Sequence, residues 1–265
     1  MLFQTYINNE YIYLLDNYWG KAYFGGFKPG SNESLKTRGV DIPRSIICNG
    51  NEYEVIEILE SALVCTYFLK NITIPDTIKK IGDYSLYRCS KELKELDLPN
   101  SIISIGAHAF EGCSSLMRVT LPNRLDIIPS NCFYGCDSLL TINLPNGLLK
   151  ISEFAFYACK GFTNIIIPDS VVEIGRCAFA FCYGIKSFTL PKNLLYLSVN
   201  TFLQNSQIEQ IISLNPIPPQ IIKEKFDKFP INHYFQNAKL YVPKGSLQAY
   251  RKSEDWNVFY EIAEL

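Results

Sequence analysis

One arrangement of apolar and polar positions recurs along most of this chain, from residue 58 to residue 214. Its clearest copy, residues 101–122, reads SIISIGAHAFEGCSSLMRVTLP. A proline closes each of several successive copies, and the intervals between these prolines are 24, 23, 23, 23 and 23 residues. A fixed period of this length predicts a solenoid, in which every copy forms one coil. The prolines are Pro75, Pro99, Pro122, Pro145, Pro168 and Pro191.

Within each copy, the alternation of apolar and polar residues predicts two short extended segments. Before the proline, Leu116, Val119 and Leu121 point inward and have apolar counterparts in the other copies. Proline lacks the N–H that a central strand needs, so its fixed place marks where pairing stops. A second inward pair, such as Leu148 with Ile151, follows the proline and predicts an opposite wall. Copies in register should form a parallel sheet with about 4.8 Å between coils.

An apolar column, mostly phenylalanine, follows the second extended segment and predicts the centre of the core. The residue just before it is always small, as Ala155 is before Phe156, which indicates a tight bend or a single helical turn. The rings should then stack along the solenoid axis. The column contains Leu63, Leu86, Phe110, Phe133, Phe156, Phe179 and Phe202.

The cysteines of this chain suggest packing and not chemistry. There are nine, an odd number, and no two C-x-x-C pairs are present to complete a zinc site. Five of them recur at one repeat position, where each would lie above its counterpart in the next coil. We therefore interpret them as small buried hydrophobes. They are Cys89, Cys113, Cys136, Cys159 and Cys182.

The two ends of the chain do not follow the repeat and predict caps. Residues 1–57 contain aromatic and β-branched segments and a hairpin signal at Asn49-Gly50, which indicates an N-terminal β cap. Residues 58–214 form the solenoid of about seven coils. Residues 215–265 predict a C-terminal cap with one strand near residues 239–243 and a short helix that Ser246 caps. The whole chain is expected to be one continuous domain, whose caps shield the end coils.

The repeat resembles that of a known family. Residues 168–179, PDSVVEIGRCAF, and the cysteine at the next repeat position resemble the BspA-type leucine-rich repeat of bacterial surface proteins. Residues 240–259 are similar to the segment that ends many of these proteins. The resemblance implies a β-rich, right-handed leucine-rich repeat superhelix with a parallel β-sheet, short helical turns and capping segments. It also implies protein binding, often adhesion to host or extracellular-matrix proteins, and it supplies no catalytic residues.

Composition limits the partners. With 25 basic and 26 acidic side chains, the net charge of −1 offers no long-range field for nucleic acid or an anionic membrane. The first residues show no signal peptide, and no apolar stretch approaches the roughly 20 residues of a membrane span. Neither membrane insertion nor nucleic-acid binding is expected. The chain as written would be cytoplasmic, whereas the family resemblance implies a surface or secreted protein.

The outward side chains of the strands before the prolines form the first candidate site. They are small, polar and nearly neutral, so they suit a broad protein contact better than the capture of a charged ligand. The alternative is that they are only what a solvated strand face tolerates. This strand face consists of Asn71, Thr73, Glu95, Asp97, Arg118, Thr120, Thr141, Asn143, Asn164, Ile166, Ser187 and Thr189.

A second candidate site lies outside the opposite wall. Ile103, Leu149, Val172 and Leu195 occupy one outward column there and could form an apolar ridge for self-association. Alternatively, neighbouring loops partly bury this ridge.

An enzyme needs a constellation of reactive side chains, and the sequence offers none. Neither of the two histidines, His108 and His233, has a motif partner, so both are expected to be surface residues. No catalytic, metal-binding or cofactor-binding residue is predicted. The sequence thus favours a non-enzymatic, adhesin-like protein-interaction scaffold, with a self-associating structural protein as the alternative.

Overall fold

The computed structural model describes residues 3–8, 10–29, 39–67, 69–89, 92–223, 231, 233 and 237–265. Residues 1–2, 9 and 30–38 of the predicted N-terminal cap lie outside the described residues. The same holds for residues 224–230, 232 and 234–236 of the predicted C-terminal cap.

The coils have three walls, of which the first, the pre-proline wall, carries the strand before each proline. Its strands pair in parallel in three groups, β4 with β7, β9-β11-β13, and β16-β18-β20-β21. Partners lie one repeat apart, since Arg118 pairs with Glu95 on one side and Thr141 on the other. The strands are β4 (Val40–Asp41), β7 (Ile72–Thr73), β9 (Glu95–Asp97), β11 (Arg118–Thr120), β13 (Thr141–Asn143), β16 (Ser187–Leu190), β18 (Gln210–Ser213), β20 (Lys239–Val242) and β21 (Glu261–Glu264).

The second wall, the post-proline wall, carries the strand that follows each proline. It contains two sheets, of order β1-β2-β3-β6-β8-β10 and β12-β14-β15-β17-β19. Along these two paths the β1–β2 and β2–β3 pairs are antiparallel, and the remaining pairs are parallel. The strands are β1 (Gln4–Ile7), β2 (Tyr11–Asp16), β3 (Lys21–Phe27), β6 (Asn51–Ile58), β8 (Lys80–Ile81), β10 (Ser104–Ile105), β12 (Ile127–Ile128), β14 (Lys150–Ile151), β15 (Glu173–Ile174), β17 (Tyr196–Ser198) and β19 (Gln220–Ile222).

The third wall, the bend wall, differs from the single helical turn that the sequence suggested. Its backbone makes consecutive β-turns, for example with the N–H of Cys132 bonded to the Pro129 carbonyl and that of Cys136 to the Phe133 carbonyl. The third residue of these turns is left-handed, as in type II turns, with φ +57° at Asn131 and +67° at Gly135. The small residue inside the bend is buried in every coil, which confirms the tight bend that the sequence predicted.

The core confirms the predicted columns. Phe110, Phe133, Phe156 and Phe179 stack face to face, with successive ring centroids 5.3, 5.4 and 5.3 Å apart. All of the predicted inward residues of the strands are buried. The predicted fold class, a β-rich leucine-rich repeat solenoid, is therefore confirmed, and the described chain contains little helix.

At the N-terminal end, the structure contains the hairpin that Asn49-Gly50 predicted. Strand β5 (Ser45–Cys48) pairs antiparallel with β6, and the two turn residues have φ values of +51° and +77°. Two successive positive φ angles are those of a type I′ turn, which matches the twist of the flanking strands. Before this hairpin, β1, β2 and β3 cover the open edge of the first post-proline strands.

At the C-terminal end, helix α1 (Leu247–Lys252) lies where the sequence predicted it. Ser246 occupies the N-cap position of this helix, as predicted, but its side chain makes no capping hydrogen bond. Trp256 and Phe259 are buried and stacked, and the Trp256 indole donates to the Pro219 carbonyl at 2.8 Å. The sequence did not predict the final strand, β21. The division of the chain at residues 57/58 and 214/215 stays a prediction.

Candidate protein-binding surface

The outward row of the pre-proline wall contains the twelve residues of the predicted strand face, and none of them is buried. Most lie on β7, β9, β11, β13 and β16, where the alternate residues Leu96, Val119, Ile142 and Phe188 fill the core. Register brings like positions together, because Asp97, Thr120 and Asn143 are successive partners across three strands. Across β9, β11 and β13 the structure thus forms an outward row from residues that are 23 positions apart in the sequence.

The charged side chains of this face form one paired cluster, in which one guanidinium and two carboxylates leave a net charge of −1. Arg118 lies between two carboxylates, 2.7 Å from Glu95 and 3.1 Å from Asp97. The Thr120 hydroxyl donates to Asp97 at 2.6 Å, and this bond, with the guanidinium of Arg118, lowers the pKa of that carboxyl. Because the cation and the carboxylates are already paired with each other, this region exerts little long-range attraction on a charged partner.

The next part of the face is interrupted. Among the described strands, β13 pairs with β11 alone and β16 with β18 alone, while residues 163–167 between them form no strand. A cleft of about 530 Å³ lies here, between residues 140–146 and residues 163–168. Thr141, Asn143, Asn164 and Ile166 of the predicted face all line it, and Ile166 is 79% exposed.

Beyond the interruption the face continues further than the sequence predicted. Strands β20 and β21 extend the row from Ser187 and Gln210 to Lys239 and Glu261, which form an ion pair of 2.8 Å. The 23-residue repeat does not predict this extension, because Lys239 lies 29 positions after Gln210 in the sequence. Only the alternation of residues 239–242, with Leu240 and Val242 buried, signals it.

The alternative site, the apolar ridge, is also exposed. Ile103, Leu149 and Leu195 are 50, 48 and 54% exposed, and Val172 is half-buried. All four side chains are therefore partly buried and partly exposed, and the role of the ridge stays a prediction. A pocket of about 460 Å³ at one end of the ridge is lined by Val172, Leu195 and the proline-rich residues 215–219.

The cysteine column contacts the core and not the solvent. Its thiols donate to carbonyl oxygens of the preceding coil, as Cys136 does to Phe110 at 3.3 Å and Cys159 to Phe133 at 3.2 Å. Burial raises the pKa of Cys113 and of Cys182 to about 12, which leaves no reactive thiolate near neutral pH. In the last coil Asn205 takes over this position, and its amide donates to the Phe179 carbonyl at 2.6 Å.

His108 is not the plain surface residue that the sequence suggested. Its imidazole stacks on Tyr84 with ring centroids 4.3 Å apart, and its Nδ1 lies 2.5 Å from a Glu111 carboxylate oxygen. Among the described residues, no three His, Cys, Asp or Glu side chains lie close enough together to hold a metal ion. No helix in the described part of the chain has both the length and the apolar character needed to cross a bilayer.

Comparisons with known proteins agree with this architecture. A sequence profile of the BspA type leucine rich repeat region matches six copies, within residues 56–160 and 126–239. A solved leucine-rich repeat protein from Bacteroides ovatus is 21% identical, with a TM-score of 0.59, over 98% of this chain and 76% of that one. Another, from Eubacterium ventriosum, is also 21% identical with a TM-score of 0.59, over 77% of this chain and 52% of that one. No curated protein sequence matches the chain.

Proposed function

The chain belongs to the BspA-type leucine-rich repeat family, whose repeats form protein-interaction scaffolds, and from this premise we propose that it binds a protein partner without catalysis. The partner docks on the outward face of the pre-proline wall. Family resemblance supports an adhesin-like role, in which the partner is a host or extracellular-matrix protein.

The observation that carries this proposal is the state of the strand-face side chains. They point outward, are mostly polar and are held at a regular spacing on a packed core. The face therefore loses little conformational entropy when a partner binds. With Arg118 paired to Glu95 and Asp97, the face selects by shape and hydrogen bonding more than by charge. Ile166 adds an exposed apolar group near the middle of the row.

Binding to immobilised extracellular-matrix proteins, such as fibronectin, laminin and collagen, tests the proposal. The double variant Asn143→Arg with Ser187→Arg places two bulky cations on the face, and we expect roughly a tenfold or greater loss of affinity. The control is Gly147→Arg, at an exposed turn where an added Cβ meets no atom within 4 Å. Capture that the double variant retains in full would contradict the proposal.

Self-association through the apolar ridge is a second candidate, because Ile103, Leu149 and Leu195 are about half exposed in one column. Apolar side chains in register along one wall form a patch that a second copy could cover. Light scattering of the wild type at high concentration tests this candidate, with Leu149→Glu as the variant that should dissociate the assembly. A strictly monomeric wild type would remove it.

A further inference from the structure

The post-proline wall carries a small pocket where β14, β15 and β17 run side by side, with a volume of about 240 Å³. Register places Ser152, Gly175 and Ser198 on three successive coils, because the residues before them are paired across these strands. All three line the pocket. Two strand spacings of about 4.8 Å each separate the serines, and Gly175 has no side chain to fill the space between them.

The hydroxyl groups of Ser152 and Ser198 have no partner in the described part of the chain, since neither side chain makes a hydrogen bond there. Both residues are more than nine-tenths buried, with exposed fractions of 8 and 7%. Leaving such a hydroxyl unbonded costs free energy. The fold does not require hydroxyls at this position, because Gly82, Gly106 and Pro129 occupy it in other coils. The two serines can therefore bond to a ligand in the pocket that they line.

The rim of the pocket is charged but balanced. Lys150 and Glu173 form an ion pair of 2.8 Å between β14 and β15. Glu153 and Arg176 also line the pocket, so the lining contains two acidic and two basic side chains. A balanced set exerts little net attraction on an ion. Its carboxylates accept hydrogen bonds and its cations donate them, which suits an uncharged polar ligand.

Tyr196 and Ile222 give the pocket an apolar side. Both side chains are 41% exposed, and they lie on the adjacent strands β17 and β19. Tyr196 stands in the same column as the charged residues Lys150 and Glu173 of the two preceding coils. An aromatic ring carries negative charge density on its face, so the positive hydrogens of aliphatic C–H groups pack well against it. A complementary ligand has an apolar C–H face as well as hydroxyl groups.

A hexose unit has this combination. Hydroxyl groups on opposite sides of its ring can reach both serines, and its axial hydrogens make one face of the ring apolar. The pocket volume of about 240 Å³ lies below the roughly 300–1,000 Å³ of sites that hold drug-sized ligands, so the pocket suits a single sugar unit. An inorganic anion has no apolar face and gains little from a balanced rim.

We propose that the pocket between Ser152 and Ser198 binds an uncharged hexose unit at the end of a glycan. The two serine hydroxyls bond to hydroxyl groups of the sugar, and the charged side chains of the rim bond to others. The apolar face of the sugar ring packs on Tyr196. The pocket lies on a different wall from the strand face, so this inference goes beyond the proposed protein contact and does not depend on it.

A glycan array probed with the labelled full chain identifies the sugar, and isothermal titration measures the affinity of the free oligosaccharide. The double variant Ser152→Ala with Ser198→Ala removes both hydroxyls, and we expect roughly a tenfold or greater loss of affinity from two lost hydrogen bonds. The control, Ser104→Ala, removes an exposed hydroxyl from β10 of the same wall and should leave the affinity unchanged. Thermal melting should show the double variant to be at least as stable as the wild type, because its hydroxyls lose no partner.

Replacement of the aromatic ring tests the apolar side of the pocket separately. Tyr196→Ala changes an exposed residue, so the fold should tolerate it, and we expect roughly a three- to tenfold loss of glycan affinity. The matched control, Tyr196→Phe, keeps the ring and should retain the affinity of the wild type.

Three results would overturn the inference. One is an array on which no glycan with an uncharged terminal hexose binds, and another is binding restricted to sulfated or sialylated glycans. The third is a glycan whose affinity either the serine double variant or Tyr196→Ala leaves unchanged. None of these results bears on the strand face, which the binding of matrix proteins to the Asn143→Arg with Ser187→Arg variant tests.

Discussion

Between the coil of residues 146–168 and the next coil, the bend wall is joined by backbone hydrogen bonds, whereas the pre-proline wall is not. On the bend wall, the N–H groups of Phe154, Phe156 and Ala158 all donate to the next coil, at 2.8, 2.9 and 2.8 Å. On the pre-proline wall, the described residues 163–167, which belong to the same coil as Phe156, make no backbone hydrogen bond to β16 of the next coil. The comparison teaches that the bend wall and the core hold adjacent coils together even where the outer strand is unpaired, so the pre-proline wall can vary its surface.

The bend wall has a steric cost. All of the described non-glycine residues with positive φ lie in bends, apart from Asn49 of the N-terminal hairpin. Each such residue places its Cβ near a carbonyl oxygen, at a cost of roughly 1–2 kcal/mol. The hydrogen bonds between coils and the buried aromatic stack offset this cost. Regular pairing on this wall is therefore stabilising enough to retain strained backbone in every coil.

Hydrogen exchange should give the largest contrast between the two walls. We expect the Phe156 amide, bonded to Ala178 on the bend wall, to exchange at least ~10³ times more slowly than the unpaired amide of Ile166. That ratio corresponds to about 4 kcal/mol of local opening free energy. Amide-resolved NMR exchange measures it, and equal protection of the two amides would show that the pre-proline wall is closed in solution.

A glycine at the entrance to the bend wall should give the next largest effect. A Cβ on Gly106 would lie 2.4 Å from the Asp83 backbone nitrogen, so Gly106→Ala should destabilise the fold by about 1–3 kcal/mol. The control, Gly147→Ala, adds a Cβ that meets nothing within 4 Å and should be neutral or stabilising by up to about 1 kcal/mol. Urea unfolding measures both, and similar free energies of unfolding would contradict the close approach.

Relief of strain in the bend wall should give the smallest effect and the opposite sign. Ala158 has φ +57° at the position where other coils have Gly112 and Gly135. Ala158→Gly removes the steric cost but gains unfolded-state entropy, so we expect a net stabilisation of about 0.5–1 kcal/mol. Ala155→Gly is the control, because Ala155 is not among the positive-φ residues and should lose stability on the same change. A destabilised Ala158→Gly protein in urea unfolding would show that the left-handed turn carries no strain.

Much of the fold could be predicted because a fixed period repeats the same environment many times. Once Phe156 is assigned to the core, Phe133 and Phe179 follow, and the structure confirms all three. Strand β21 escaped prediction because it occurs once, outside the period. The turns of the bend wall also escaped, since Phe154 and Ala158 are not residues that signal a left-handed backbone.

In the candidate surface, too, some features could be predicted from the sequence and others could not. Alternation correctly predicted which side chains point outward, because in a strand that follows from the pleat alone. The interruption at residues 163–167 could not be predicted, since Ile165 and Ile167 keep the alternation of the paired strands. Phe162 and Ile166 depart from their columns, but neither a larger inward ring nor an apolar outward residue reveals whether the strand stays paired.

The enclosed sulfur atoms allow the motion of single coils to be followed. Cys113, Cys136, Cys159 and Cys182 each lie beneath a coil of their own, 23 residues apart, and none is exposed. An alkylating reagent can reach one of them only when the coil above it separates from its neighbour. The labelling rates of these four residues, resolved by mass spectrometry, therefore measure how often each successive turn of the solenoid opens, without any engineered reporter.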